Sequence, residues 1–214
     1  MVKLLNIQEI QASKWPKILQ ETFGENLISA FLHGNCLMEG FDALHFPWTI
    51  SFILKNNSTE EIAAIQKLTK QAQKENIQFT YFFSPIEIIK NLDAFPLEFL
   101  HIANKNVTLC GIQPLAGFFP QKDNLCTQCE RELRGTLIQL RQSFVNTPEK
   151  NMKKLYKSVL EETLPILYGV YYLKTGIYPE KHQDVFDVFP SLLGENFIEA
   201  LEELTKAIPS FTTA

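Results

Sequence analysis

Hydrophobic and polar positions along the first half of the chain change period several times. Apolar residues recur at helical spacing over residues 14–23, alternate or run on through 27–33 (LISAFLH) and 49–54 (TISFIL), and return to helical spacing over 59–75. Residues 77–83 (IQFTYFF) are rich in β-branched and aromatic side chains, which predicts a strand. The helix over 59–75 has an apolar stripe of Ile62, Ile65, Leu68 and Ala72, and Ser58-Thr-Glu-Glu61 before it reads as a capping box. After Pro85 the pattern loosens through IEIIKNLDAFPLEFLHI, and VTLCG reads as a last short strand. The economical arrangement of these elements is a short mixed sheet with helices packed against it.

The second half reads as helical. Leu125, Cys129, Leu133, Leu137, Leu140 and Phe144 form one stripe, with Glu130 and Arg134 off it at the favourable i,i+4 spacing. Met152, Leu155, Val159, Ile166, Val170 and Leu173 mark a second long helix, and Pro165 inside it predicts a kink. The turn Thr175-Gly176-Ile177-Tyr178-Pro179 ends that helix, and Phe197, Ile198, Leu201, Leu204 and Ile208 predict a last amphipathic one. Between the halves, Gly111 to Pro120 contains Pro114, Gly117 and Pro120 and is the best linker. The expected organisation is an α/β or α+β mixed-sheet domain over 1–120 and an all-α bundle of three or four helices over 121–214.

Composition narrows the function classes. The 214 residues are 45% hydrophobic, enough for a core, and the net charge of −4 gives no bulk attraction to a polyanion, so nucleic acid is not an expected partner. The only three arginines are Arg131, Arg134 and Arg141, which leaves the first half without a bidentate guanidinium. The N-terminal stretch lacks the pattern of a signal peptide, and LPILYGVYYLK is too short to cross a bilayer, so a cytoplasmic protein without membrane association is expected. Cys36, Cys110, Cys126 and Cys129 then read as reduced thiols. Cys126-Thr-Gln-Cys129 has no second ligand pair for zinc, and packing is its expected role. Phosphate-loop, dinucleotide, zincin and nucleophile-elbow motifs are absent from the sequence.

One stretch carries chemistry. In FLHGNCLMEGFDALHFPWTISFIL, an apolar strand ends at His33-Gly34-Asn35, a loop follows, and a second strand opens at Trp48-Thr49-Ile50-Ser51. Strand, Gly-small pair, loop and strand ahead of a helical domain resemble the nucleotidyltransferase superfamily related to DNA polymerase β. A narrower resemblance, to bacterial nucleotidyltransferase-domain proteins with a C-terminal helical bundle, rests on FPLEFLHI at 95–102, LCG at 109–111 and CERELRGTLIQLRQ at 129–142.

That resemblance implies a Gly-Ser pair on the nucleotide phosphates and an Asp-x-Asp on the next strand. Residues two apart on a strand share a face, so such a pair holds divalent cations jointly. This chain has Thr49 and Ser51 at those positions, or Trp48 and Ile50 in the other register, and neither choice supplies a carboxylate. Gly34 still permits close backbone approach, and Asn35 replaces the serine with a side chain that can donate to phosphate. The family's third carboxylate falls at Thr80 by strand order, with Glu98 the nearest acid in a recognisable segment. Glu39 and Asp42 lie in the intervening loop, where preorganisation is poor.

The expected function is therefore a catalytically degenerate nucleotidyltransferase-like protein that keeps its scaffold for a nucleotide at Gly34-Asn35 or for a protein partner, or a second copy, through its helices. No cofactor is expected, magnesium entering only with residual nucleotide binding. Two alternatives stand beside it: an active transferase using Glu39, Asp42 and Glu98, and a pure interaction module, antitoxin-like or a subunit of a complex. The bland readings are a structural His33, Phe46, Trp48 and Phe52 as packing rather than base-stacking groups, and Lys150, Lys153, Lys154 and Lys157 as a solvated face balanced by Glu149, Glu161 and Glu162.

Overall fold

The computed structural model describes residues 6–38, 41–44, 46–190 and 199–200. In chain order these form α1 (Ile7–Gln11), α2 (Trp15–Phe23), β1 (Leu27–His33), β2 (Trp48–Leu54), α3 (Thr59–Ala63), α4 (Gln66–Lys74), β3 (Ile77–Phe83), α5 (Pro85–Lys90), α6 (Pro96–Asn104), β4 (Asn106–Gly111), α7 (Lys122–Asn146), α8 (Met152–Thr175) and α9 (His182–Val188). Two compact units result, Met1–Leu92 with His101–Phe118, and Asp93–Leu100 with Phe119–Ala214. The expected terminal helix at 197–208 lies outside the described residues, apart from its positions 199 and 200.

The first unit is built on a mixed four-stranded sheet in the order β3-β2-β1-β4 among the described residues. β1 runs antiparallel to both neighbours, while β2 and β3 are parallel and joined through α3 and α4. Strand alternation sorts the two faces. Ala30 and Leu32 of β1 and Trp48, Ile50, Phe52 and Leu54 of β2 enter one core with Trp15, Leu19, Phe23, Ile65 and Ala72 of the helices. Phe52 is its centre, with the rings of Phe82, Phe23 and Phe79 at 4.9, 5.4 and 5.7 Å. Burying an aromatic of this size contributes roughly 1.5–3 kcal/mol. Ser29, Phe31 and His33, and Thr49, Ser51 and Ile53, therefore point to the other face.

Two expectations need correction here. The helix read over 59–75 is two helices that break around Ala64 and Ile65. The capping box at Ser58 does not form, because the Ser58 N–H donates to Asn56 Oδ1 at 3.0 Å and Glu61 instead accepts from Asn26 Nδ2 at 3.1 Å. Reciprocal boxes do close α1, through Asn6 and Glu9, and α5, through Ser84 and Glu87.

In the second unit α7 and α8 form a helical hairpin. Leu125, Cys129, Leu133, Leu137 and Leu140 are buried as the stripe predicts, whereas Phe144 at its end is exposed. Close approach occurs at Gly169 of α8, where a Cβ would come within 2.8 Å of Cys129 Sγ and 2.5 Å of Leu97 Cδ1. Cys126 and Cys129 are buried thiols outside any disulfide, and burial raises both thiol pKa values. Pro165 lies within α8, and Gly176 in the left-handed region caps the helix. No helix among the described residues is long and apolar enough to cross a membrane.

Candidate functional site

The sheet face opposite the core gathers the polar residues singled out on β1, β2 and β3. A backbone irregularity makes this possible. Ile50 pairs with Phe79 and Phe52 with Phe82, so the single residue Ser51 faces both Thr80 and Tyr81. This bulge keeps Phe79 and Phe82 on the core face and turns Thr80 and Tyr81 together toward the other. Simple alternation does not predict that placement.

Ser51 is fully buried, and three groups meet its hydroxyl oxygen: His33 Nε2 at 2.7 Å, Thr80 Oγ1 at 2.7 Å, and the Tyr81 N–H, which donates at 3.0 Å. His33 Nε2 and Thr80 Oγ1 are 3.2 Å apart, and Thr80 Oγ1 also lies 3.4 Å from the Ile50 carbonyl. A hydroxyl has one proton and two lone pairs. The assignment that fills them has Thr80 donating to Ser51, Ser51 donating to His33 Nε2, and the His33 proton on Nδ1. Burial lowers the His33 pKa from 6.5 to about 4, so the ring is neutral near pH 7. Tyr81 stacks on the imidazole with centroids 5.2 Å apart, and Phe83 stacks on Tyr81 at the same separation.

Thr49 continues the cluster toward the turn. Its hydroxyl donates to the His33 carbonyl, and Cys36 Sγ lies 3.1 Å from that carbonyl and 3.3 Å from Thr49 Oγ1. Gly34 opens a 3-10 turn, Gly34–Leu37, with φ of 76°, a conformation that favours glycine. Thr49, Ser51 and Thr80 are thus brought together by β2 and β3, and His33 at the end of β1 joins them. The signal for it was its position at the end of β1, on the same face as Phe31.

The other predicted residues stand elsewhere. Asp42 Oδ1 accepts the Leu44 N–H at 2.8 Å within its own loop. Glu98, in the second unit, accepts from Gln128 Nε2 at 2.8 Å, while Gln128 Oε1 accepts the Leu97 N–H at 2.9 Å. Glu39 and the side chain of Asn35 lie outside the described residues. Trp48 and Phe52 are buried in the core, Trp48 against Phe41 at 4.7 Å, whereas Phe46 is exposed. Among the described residues, no group of three or more His, Cys, Asp or Glu side chains is arranged to hold a metal ion.

Beside the turn lies a cleft of about 560 Å³, lined by Ile7, Leu37, Met38, Phe41 and Trp48 with the amides of Asn6 and Gln8. No cationic side chain is among its described lining residues, so it offers an apolar surface rather than a counter-charge for phosphate.

Chemically, the cluster is a closed, neutral clasp. A serine 2.7 Å from an imidazole has the spacing of a nucleophile and its base, but Ser51 is fully buried and both its lone pairs already receive donors. The hydroxyls carry no charge, whereas a hard divalent cation is held through at least one or two carboxylates. No family model matches the chain, and a search of curated proteins finds no significant match.

Proposed function

We propose that the chain is a nucleotidyltransferase-like scaffold without nucleotidyl transfer, whose work is recognition rather than catalysis. The supporting observation is the hydroxyl–imidazole clasp. Thr49, Ser51 and Thr80, which stand where the resemblance places metal-binding carboxylates, donate their hydroxyl protons to the His33 carbonyl, to the His33 ring and to Ser51 respectively. A transferase of this type needs ionised oxygens to gather magnesium around a triphosphate and to stabilise the transferring phosphoryl group. Here the same strand positions present neutral groups that are already satisfied, and they hold β1, β2 and β3 together. Recognition then falls to the surfaces around the sheet and to the helical unit.

The test is transfer itself. Purified protein incubated with each α-³²P-labelled nucleoside triphosphate and magnesium or manganese should label neither itself nor added protein or small-molecule acceptors. Metal-dependent labelling that the Ser51→Ala change abolishes would overturn the reading.

A further inference from the structure

The sheet of the first unit has an edge with open space beside it. Among the described residues β3 has one strand neighbour, β2, and its other side is an edge of the sheet. The Trp48 N–H donates to the Asn76 carbonyl at 2.8 Å, which sets the phase of this parallel ladder. Asn76 and Gln78 turn their backbone groups toward β2, and Ile77 and Phe79 turn theirs the other way. Two N–H donors and two carbonyl acceptors thus face outward. The bulge opposite Ser51 comes after Phe79, so this part of the ladder is regular.

A cavity of about 520 Å³ lies along the same residues. Ile77, Gln78 and Phe79 of β3 form one wall, and Gln66, Thr69 and Gln73 of α4 form another. The three α4 residues stand at i, i+3 and i+7, on one stripe of the helix, and all are exposed. No acid or base is among the described lining residues, so a charged occupant would lose water without gaining a counter-charge. Ile77–Phe83 also contains no charged residue and no proline, the groups that ordinarily keep an edge strand from pairing.

We propose that the groove between α4 and the outer edge of β3 is a binding site for an extended, uncharged peptide segment of a partner protein, which adds to the sheet as a strand beside Ile77–Phe79. Hydrogen-bond complementarity selects this occupant. An extended backbone brings donors and acceptors to the outward groups of Ile77 and Phe79, and its alternate side chains enter the cavity under α4. A helix has already used its backbone groups internally, and a nucleic acid would bring phosphates to an uncharged wall. A second copy paired edge to edge would bring its own α4 to the same face of the sheet, where the first α4 already lines the cavity. The proposal deepens the reading of the chain as a recognition protein and rests on it, while its test leaves Ser51 and His33 untouched, so either can fail without the other.

The probe is a phage-displayed library of random dodecapeptides selected against the full chain; the most enriched peptide is then synthesised with a fluorescein label and measured by anisotropy. The expected sequences are uncharged, with β-branched or aromatic residues at alternate positions. N-methylation of that peptide, one amide at a time, should weaken binding by ~10-fold or more at every second amide and leave the intervening ones within ~2-fold, because only alternate amides face β3. Thr69→Arg puts a charge and bulk into the groove and should weaken binding by ~10-fold or more, while Thr69→Ser should leave it unchanged. Thr69 is exposed, so the thermal midpoint should stay the same; Gln73→Arg repeats the test should Thr69→Arg disturb folding. Amide exchange at Ile77 and Phe79 should slow when the peptide is bound. No enrichment, enrichment of charged or helix-forming sequences, N-methyl effects without alternation, or groove variants that bind unchanged would each overturn the proposal, as would self-association of the chain that Thr69→Arg abolishes.

Discussion

Ser51 Oγ and His33 Nε2 stand 2.7 Å apart, with Ser51 fully buried on the inner strand β2 and His33 at the end of β1. The contact joins two strands on the face away from the main core, and the bulge at Thr80 and Tyr81 brings in a third. A polar cluster at this depth persists because Ser51 at its centre uses its proton on His33 and both lone pairs on Thr80 and the Tyr81 N–H.

Ser51→Ala removes the acceptor of the Tyr81 N–H and the partner of both His33 and Thr80. It should destabilise the protein by about 2 kcal/mol, most of it the cost of groups left unpaired. Combined with Thr80→Val it should cost less than the sum of the two single changes, by about 1 kcal/mol, because both act on one network. Urea denaturation of the four proteins measures this; strict additivity would show that the hydroxyls act separately.

The pH dependence follows from His33. Its pKa in the folded protein, about 4, lies below the ordinary 6.5, so between those values the unfolded chain binds the extra proton and stability falls as pH falls. The contribution is fully present above about pH 6.5 and lost progressively through pH 4, a loss of about 3 kcal/mol from this group. His33→Gln should flatten that part of a plot of unfolding free energy against pH. A histidine resonance titrating near 6.5 in the folded protein and assigned to His33 would contradict the account.

Gly111 ends β4 with φ of 85°, and a Cβ there would lie 2.1 Å from the Ile28 carbonyl oxygen. Close approach at this point lets the Ile112 N–H donate to that carbonyl at 3.1 Å and lets Ser29 Oγ donate to the Ile112 carbonyl at 2.7 Å. Gly111→Ala adds a backbone clash to an unfavourable φ and should cost about 3 kcal/mol. Hydrogen exchange should show β4 amides losing protection before those of β1 and β2; a variant of unchanged stability would refute the geometry.

Much of the sheet was legible in the sequence because alternation and turn residues act locally. β1 and β3 end at the residues where their apolar runs end, and the buried stripe of α7 follows its predicted spacing from Leu125 to Leu140, though not to Phe144. Competition between side chains was not legible: nothing in Ser58-Thr-Glu-Glu61 shows that Asn26, far away in sequence, will take Glu61. Nor was the bulge, since Thr80 and Tyr81 come to share a face only through their pairing opposite Ser51. α5 and α9, of six and seven residues, have too few turns for an apolar stripe to be legible in the sequence. As for the site, the positions were readable, Thr49, Ser51 and Thr80 by strand order, but His33 as their common partner required the fold.

The most direct test of the central claim is a thermal-shift titration with ATP, GTP, CTP and UTP, each with and without magnesium, because a ligand that binds only the folded state must raise its stability. A ligand at 100 times its Kd adds about 2.7 kcal/mol, a shift easily read in a protein of this size. The account predicts that magnesium changes the midpoint no more with nucleotide than without it. A shift that requires both magnesium and one nucleotide, and that Ser51→Ala or Thr49→Val removes, would contradict it.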